Sequence, residues 1–372
     1  MIPRARHVVA AALSSALLTL PAFTGIANAV PTGKVYAVPL TKSTDDVKRV
    51  ADYWKPDKLK KADSYTPAAP GTKSSPSPSP AGGAAGPKAP SPAAVRVSST
   101  AKKRSATTVA APTPPRNATV AKTNGKVYFR YGVKEYWCSA SAVAAKNRSV
   151  VATAGHCAFD PRQGKAAEYW IFVPNPGENG ETPDGIYVGA SISMHEDWSG
   201  RGDYDYDYAF VTVHQGFKWV AKNGAYVMED VGRLQDNVGG QGLELNRKPG
   251  TYTALAFGYP GGEQPDGSRP FDGKRLHLCK DGPTSWTVAP SYDLQKGVRL
   301  QPCDFSSGAS GGPWLVGYNR ERGLGNLNGV NSLNWNSDAQ GRFDAVSSPY
   351  FDTVTGQVYR HAATTVVLSN VV

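Results

Sequence analysis

The stretch GASGGP at residues 308–313 places Ser310 between small residues in a glycine-rich turn. A serine hydroxyl is a weak nucleophile unless a base removes its proton and hydrogen-bond donors stabilise the oxyanion that follows. Small neighbours allow a tight turn, so the backbone N–H groups of Gly308 and Ser310 can point at the same spot. The stretch therefore predicts a nucleophilic serine with an oxyanion hole formed by Gly308 and Ser310. The alternative is a purely structural turn.

A histidine motif lies upstream, where TAGHC at 153–157 overlaps the end of an apolar, β-prone run, 150–154. His156 is one of six histidines in the chain, and it stands at this strand end beside a cysteine. An imidazole titrates near neutral pH, so it can take and return a proton. This setting predicts that His156 is the general base.

Three acids alternate with tyrosines between these two motifs, at Asp203, Asp205 and Asp207. Asp207 directly precedes the β-prone run 208–213, where a carboxylate can accept the imidazole N–H and fix its tautomer. Asp207 is therefore the predicted orienting acid, with Asp205 in reserve, and Asp203 is expected in a solvated loop. The three candidate residue types follow one another in the order His, Asp, Ser.

The serine turn also fits the G-x-S-x-G pattern of esterases at 308–312. That arrangement requires its acid and histidine after the serine, within an α/β sheet, and His361 is the one histidine that follows Ser310. A secreted esterase is therefore a minor alternative. The three motifs together predict a nucleophilic serine served by a histidine base and an orienting acid.

The first 116 residues differ in composition from the rest. Residues 1–29 combine early arginines, an apolar run and an A-x-A cleavage site, as in a secretory signal peptide. Within 30–116, the stretch 67–115 is rich in Pro, Ala and Ser and has too little apolar surface to fold, while a short helix is expected around 44–62. We expect a signal peptide, a largely disordered pro-region and linker (30–116), and one folded domain, 117–372.

Net charge separates the same two parts of the chain. Residues 1–116 contain 17 of the 41 basic and 5 of the 30 acidic residues, which leaves 24 basic and 25 acidic residues in 117–372. The folded domain therefore lacks the basic surface that nucleic-acid binding requires. No later apolar run is long enough to span a membrane. We expect a secreted, extracellular monomer.

All four cysteines, Cys138, Cys157, Cys279 and Cys303, lie in 117–372. An even number of cysteines in a secreted chain indicates disulfides, and four cysteines allow three pairings. Pairing between sequence neighbours, Cys138–Cys157 and Cys279–Cys303, is the simplest and closes loops of about 20 residues. The zinc-site alternative is disfavoured because the sequence has no C-x-x-C pair. Neither a metal nor another cofactor is expected.

Short β-prone runs such as KVYFRY at 126–131 make up most of 117–372, and Gly, Pro, Asn and Asp break them. Helix-period segments are few, and strands and helices do not alternate regularly. This pattern predicts an all-β barrel or sandwich.

These motifs resemble those of the chymotrypsin/trypsin superfamily of serine peptidases, in particular secreted trypsin-like peptidases of actinobacteria. The matching stretches are TAGHC at 153–157, DYAF at 207–210 and GASGGPW at 308–314. The resemblance covers about 117–372. It implies an all-β fold of two six-stranded antiparallel β-barrels with the active site between them, preceded by the disordered leader.

The resemblance also assigns roles to single residues. It implies that His156, Asp207 and Ser310 form the catalytic triad, and that Gly308 and Ser310 provide the oxyanion hole. Ser332 matches the strand whose backbone pairs with an extended substrate. The activity that the resemblance implies is that of a secreted serine endopeptidase, which acts on a polypeptide substrate through an acyl-enzyme intermediate. A non-catalytic binding protein on the same scaffold is the alternative, and the presence of all three triad residues argues against it.

Two positions depart from the pattern of trypsin. Ala309 stands where pancreatic members have an aspartate that pairs with a newly cut N-terminus, so activation is expected to work differently, by removal of steric cover. Asp304 lies six residues before Ser310, like the acid that selects Arg or Lys in trypsin. However, Asp304 directly follows Cys303, whereas the acid of trypsin precedes its cysteine by two residues. We keep Asp304, together with Ser332, as the candidate specificity residues.

Overall fold

The computed structural model of the chain describes residues 34–69, 105–337 and 341–367, apart from the side chains of residues 280 and 281. The expected signal peptide, 1–29, and the central part of the Pro-rich linker lie outside the described residues. Of the helices within the three ranges, none has the length and apolar character that a bilayer span requires.

Short strands dominate the described residues. In the first half of the chain they are β1 (Val35–Pro39), β2 (Asp63–Ser64), β3 (Thr107–Ala110), β4 (Asn124–Tyr131), β5 (Lys134–Val143), β6 (Val150–Thr153), β7 (Phe159–Asp160), β8 (Lys165–Ala166), β9 (Glu168–Pro174), β10 (Tyr187–His195) and β11 (Ala209–Val213). In the second half they are β12 (Gly216–Lys222), β13 (Ala225–Gly232), β14 (Gly242–Leu245), β15 (Thr253–Gly258), β16 (His277–Ala289), β17 (Leu294–Leu300), β18 (Pro313–Asn319), β19 (Leu324–Val330), β20 (Leu333–Trp335) and β21 (Ala345–Pro349). The α-helices are α1 (Thr44–Tyr53), α2 (Pro56–Leu59), α3 (Glu196–Arg201), α4 (Leu234–Val238) and α5 (Thr353–Thr364).

Six antiparallel strands close on themselves to form the first barrel. Their order is β10-β11-β6-β5-β4-β9, and β9 pairs back to β10, where Phe172 lies opposite Tyr187. Side chains alternate between the two faces of a strand, so apolar residues at every second position fill the interior. Phe129 of β4 and Val211 of β11 are fully buried there.

The second sheet has nine strands in the order β20-β21-β17-β16-β15-β18-β19-β14-β3. Its pairs are antiparallel except for β14 and β19, which run in parallel. The segment after β19 returns to β21, where the backbone N–H of Ser332 donates to the carbonyl oxygen of Ser347 at 2.8 Å. The all-β prediction is confirmed, with one closed six-stranded barrel and a second sheet that also includes β14 and β3.

A shared core joins the two sheets. One buried cluster contains Phe210 of the first barrel, Leu255 and Leu327 of the second sheet, and Val358 of α5. The helix is also tied by a hydrogen bond of 2.5 Å from the Tyr359 hydroxyl to the carbonyl oxygen of Ala144. Burial of this apolar surface stabilises the arrangement that brings the strand ends together.

The folded part begins well before residue 117, which differs from the domain boundary expected from the sequence. In the leader, β1 pairs with β10, α1 and α2 pack on the first barrel, and β3 pairs with β14. Edge strands pair through their backbones, so their composition gives little warning of it. The single helix expected around 44–62 is divided because Pro56 lacks the N–H that would continue α1.

Candidate active site

His156 lies in a short 3₁₀ turn, Gly155–Cys157, directly after β6. A methyl group added at Gly155 would lie 2.8 Å from the Trp198 ring, so only glycine allows this close packing. The turn is also held by the Cys138–Cys157 disulfide. As a result, His156 is held firmly and its side chain is buried.

The carboxylate of Asp207 is fully buried and faces His156. The Nδ1 atom of His156 lies 2.9 Å from Oδ2 and 3.1 Å from Oδ1 of Asp207. The backbone N–H of His156 donates to Oδ1 at 2.8 Å, and the Ser332 hydroxyl donates to Oδ2 at 2.6 Å. A carboxylate held this way orients the ring and can stabilise its protonated form.

The two neighbouring acids serve the backbone around Asp207. Asp205 accepts the N–H groups of Gln295 and Lys296 at 2.8 and 2.6 Å, which ties this loop to β17. Asp203 caps the 3₁₀ turn Tyr204–Tyr206, where its side chain accepts the Asp205 N–H at 2.9 Å. The prediction of a solvated Asp203 is wrong, because this capping role buries it. Burial raises the pKa of Asp203 to about 6 and also raises the pKa of Asp205.

Ser310 lies in a turn that requires glycine at positions 308, 311 and 312. Gly308 and Gly311 adopt φ values of +93° and +80°, a region that other residues rarely enter. A methyl group at Gly311 would lie 2.1 Å from Thr153 Oγ1, and one at Gly312 would lie 2.0 Å from the carbonyl oxygen of Phe257. The turn is therefore wedged between the ends of β6 and β15.

This packing brings the Ser310 backbone beside the 3₁₀ turn that contains His156. The backbone N–H of Ser139 donates to the Ser310 carbonyl oxygen at 2.8 Å, and Cys157 Sγ lies 3.9 Å from the same oxygen. On the other side of the His156 ring, Nε2 is buried and has no hydrogen-bond partner among the described residues. The structure thus places the Ser310 backbone beside Cys157, the residue that follows His156. The His156 ring has its Nδ1 engaged and its Nε2 without a partner.

Asn331 supports this turn, and the sequence analysis overlooked it. Its buried amide donates to the carbonyl oxygens of Phe257 at 2.8 Å and Ala309 at 2.9 Å, and it accepts the Trp314 indole N–H at 2.8 Å. Its backbone oxygen accepts the Gly311 N–H at 2.7 Å. The available signal was its place directly before Ser332, in the stretch GVNS at 329–332.

The two candidate specificity residues lie in different settings. The Asp304 side chain is exposed, while its carbonyl oxygen accepts a hydrogen bond of 2.7 Å from the buried side chain of Gln264. The next residue, Phe305, is buried in the second sheet. Ser332 directs its hydroxyl to Asp207, a contact that the sequence analysis did not anticipate.

Both disulfides join sequence neighbours, Cys138 to Cys157 and Cys279 to Cys303. The sulfurs of Cys138 and Cys157 lie within 4.8 Å of a ring nitrogen of His156, an arrangement that resembles a metal site. Because these two sulfurs are bonded to each other, neither is available as a thiolate ligand.

Comparison with known proteins agrees with this geometry. No family model matches the chain, and no curated protein matches it. Among solved structures, protease Anisep from Arthrobacter nicotinovorans is 30% identical, with 68% of this chain and 100% of that chain covered and a TM-score of 0.52. The thermostable serine protease AL20 from an extremophilic microorganism is also 30% identical, with 66% and 98% covered and a TM-score of 0.51. The chain therefore belongs to the chymotrypsin-like serine proteases.

Proposed function

We propose that this protein is a secreted serine endopeptidase that uses Ser310, His156 and Asp207 as a catalytic triad. The observation that carries the proposal is the buried Asp207–His156 pair, with His156 Nε2 unpaired beside the turn that holds Ser310. A buried polar atom without a partner is costly, so such atoms tend to occur where function needs them. The similarity to serine proteases supports the same assignment.

In the proposed reaction, the Ser310 hydroxyl attacks the scissile carbonyl carbon while His156 Nε2 takes its proton. The N–H groups of Gly308 and Ser310 then stabilise the oxyanion. His156 returns the proton to the leaving amine, which departs and leaves an acyl-enzyme. Water attacks this ester by the same route and releases the acid. Asp207 stabilises the imidazolium in both halves of the reaction.

Secretion is the second part of the proposal. Two disulfides persist in oxidising compartments, and the N-terminal composition predicts a signal peptide. The substrate class is unfolded polypeptide, bound in extended form along the segment that contains Ser332.

Replacement of Ser310 by alanine tests the triad. The full chain is prepared both as secreted and after limited proteolysis that removes its leader. We expect the treated parent protein to cleave casein and to label stoichiometrically at Ser310 with a fluorophosphonate. Ser310→Ala should abolish both, with turnover lower by roughly three orders of magnitude or more.

Ser199→Ala is the matched control, because Ser199 lies on α3 and its hydroxyl donates to the Glu196 carbonyl oxygen within that helix. Its activity should equal that of the parent. If the parent protein neither cleaves casein nor labels in either form, it is a binding protein. Hydrolysis of esters without any peptide cleavage would instead indicate an esterase.

A further inference from the structure

Residues 63–69, here called the cleft segment, lie against the candidate active site. Within it, β2 pairs in parallel with β5, and the Tyr65 N–H donates to the Trp137 carbonyl oxygen at 3.0 Å. Trp137 precedes Cys138, whose disulfide partner directly follows His156. The leader therefore adds a strand at the edge of the site, in the manner of a bound peptide.

The cleft segment contacts the turn that holds the nucleophile. Thr66 Oγ1 lies 2.5 Å from Ser307 Oγ, within hydrogen-bond distance. A methyl group added at Gly308 would lie 3.2 Å from the Ser64 Cβ. Ser64 therefore lies beside Gly308, whose N–H is a proposed oxyanion donor.

The same segment covers the candidate base. The Tyr65 ring lies 6.0 Å from the His156 ring and packs edge-on against Phe129 and Tyr136 at 5.3 and 5.1 Å. His156 is only 2% exposed, although a catalytic imidazole must reach both the serine and the leaving amine. A cavity of about 140 Å³ remains between His156 and Pro67 of the segment.

The rest of the leader anchors the cleft segment. The α1 and α2 region buries apolar side chains against the first barrel, and the Tyr53 ring stacks on Tyr169 at 4.1 Å. The buried side chains are Val47, Val50, Ala51, Trp54, Leu59 and Ala62. Upstream of them, β1 pairs with β10 along its five residues. These contacts are noncovalent, and the leader residues that make them lie within 34–69.

We propose that residues 34–69 are an inhibitor of the peptidase to which they are attached, and that they act by occupying its cleft. The inference rests on the proposed function. Among the described residues, those that anchor the cleft segment lie between 34 and 69, so a cut between residues 69 and 105 leaves the segment bound. Such a cut converts an intramolecular inhibitor into one that acts in trans, and activity requires its dissociation or digestion. Ala309 has no charge with which a new N-terminus can pair, which agrees with activation by uncovering.

A substitution in the cleft segment tests occupancy in the full chain. Tyr65→Asp places a charge among aromatic rings, so the segment should leave the site. We expect fluorophosphonate labelling of Ser310 to become at least tenfold faster than in the parent chain. Lys48→Ala is the matched control, since Lys48 lies on α1 of the same leader and its side chain is exposed. Its labelling rate should equal that of the parent.

Addition of a synthetic 34–69 peptide to the processed enzyme provides a readout that does not depend on folding of the variant chain. We expect the peptide to suppress casein cleavage, and the same peptide with Tyr65→Asp to need at least a tenfold higher concentration. Equal labelling of parent and Tyr65→Asp chains, or a peptide without effect, overturns the inhibitor assignment and leaves the peptidase standing. If no form of the chain labels or cleaves, the proposed function fails and this inference with it.

Discussion

Asp207 accepts hydrogen bonds from three donor groups, and they come from two separate parts of the chain. The ring and backbone of His156 provide two of them, and the hydroxyl of Ser332 provides the third. Hydrogen bonds to a buried carboxylate are stronger than those between neutral groups. The side chain is therefore held in one orientation before any substrate arrives.

Asp207→Asn should lower kcat by roughly 10³- to 10⁴-fold while preserving the fold, because an amide does not fix the correct imidazole tautomer. Peptide hydrolysis and thermal unfolding are measured together. Asp205→Asn is the matched variant from the same loop, and its kcat should stay within tenfold of the parent. A larger loss of kcat in Asp205→Asn than in Asp207→Asn would assign the orienting role to Asp205.

Asp304 tests how strongly an exposed carboxylate selects a substrate. An ion pair between solvent-exposed groups contributes about 0–1 kcal/mol, which corresponds to at most about fivefold. We expect Asp304→Asn to change kcat/KM for Arg and Lys substrates, relative to Leu substrates, by less than tenfold. A peptide library measures this ratio directly. A loss of a hundredfold or more would show that Asp304 reads the substrate's charge.

At the scale of elements, the 3₁₀ turn before β11 determines where Asp207 points. Asp203 begins the turn and Asp205 fastens it to β17. Both carboxyl groups are used for structure, which explains why acids at alternate positions along the chain do not share one function. This arrangement buries the carboxyl group of Asp203, which disfavours its charged form.

That burial predicts a pH dependence of stability. The pKa of Asp203 rises from 3.8 to about 6 in the folded chain. Between about pH 4 and pH 6, the folded chain thus retains a proton that the unfolded chain has released. Protonation favours folding there, and this contribution is lost as the pH rises through 6.

Relative to Asp203→Asn, the parent protein should lose on the order of 2 kcal/mol of unfolding free energy between pH 4 and pH 6, and only about 0.4 kcal/mol more by pH 8. Urea unfolding of both proteins at several pH values gives the difference. A difference that does not vary with pH would contradict the raised pKa.

At the scale of the whole molecule, the two disulfides differ in what they support. Cys138–Cys157 joins β5 to the histidine turn, whereas Cys279–Cys303 lies in the second sheet. Their sequence separations are 19 and 24 residues, so the chain-entropy model gives each about 3 kcal/mol of stabilisation.

Replacement of either cysteine pair by alanine should lower the unfolding free energy by a similar amount. Only the Cys138/Cys157 variant should also lose kcat, by roughly tenfold or more, because it frees the turn that positions His156. Calorimetry and single-turnover kinetics on the processed enzymes separate the two effects. Equal kinetic losses in both variants would indicate general destabilisation instead.

The sequence by itself determined the all-β class, the joining of neighbouring cysteines and the three candidate triad residues. Each of these depends on local information: alternation along a strand, short spacing between cysteines, or a motif such as TAGHC at 153–157. The glycines around Ser310 also indicated a tight turn, because backbone φ values above zero favour glycine.

Only the tertiary structure decided which distant groups meet. Ser332 bonds to Asp207 across 125 positions, and Thr66 meets Ser307 across 241. Such contacts arise when barrel closure and sheet packing bring strand ends together, and they leave no periodic trace along the chain. For the same physical reason, composition made the leader look separate, whereas folding places its residues 63–69 over the candidate active site.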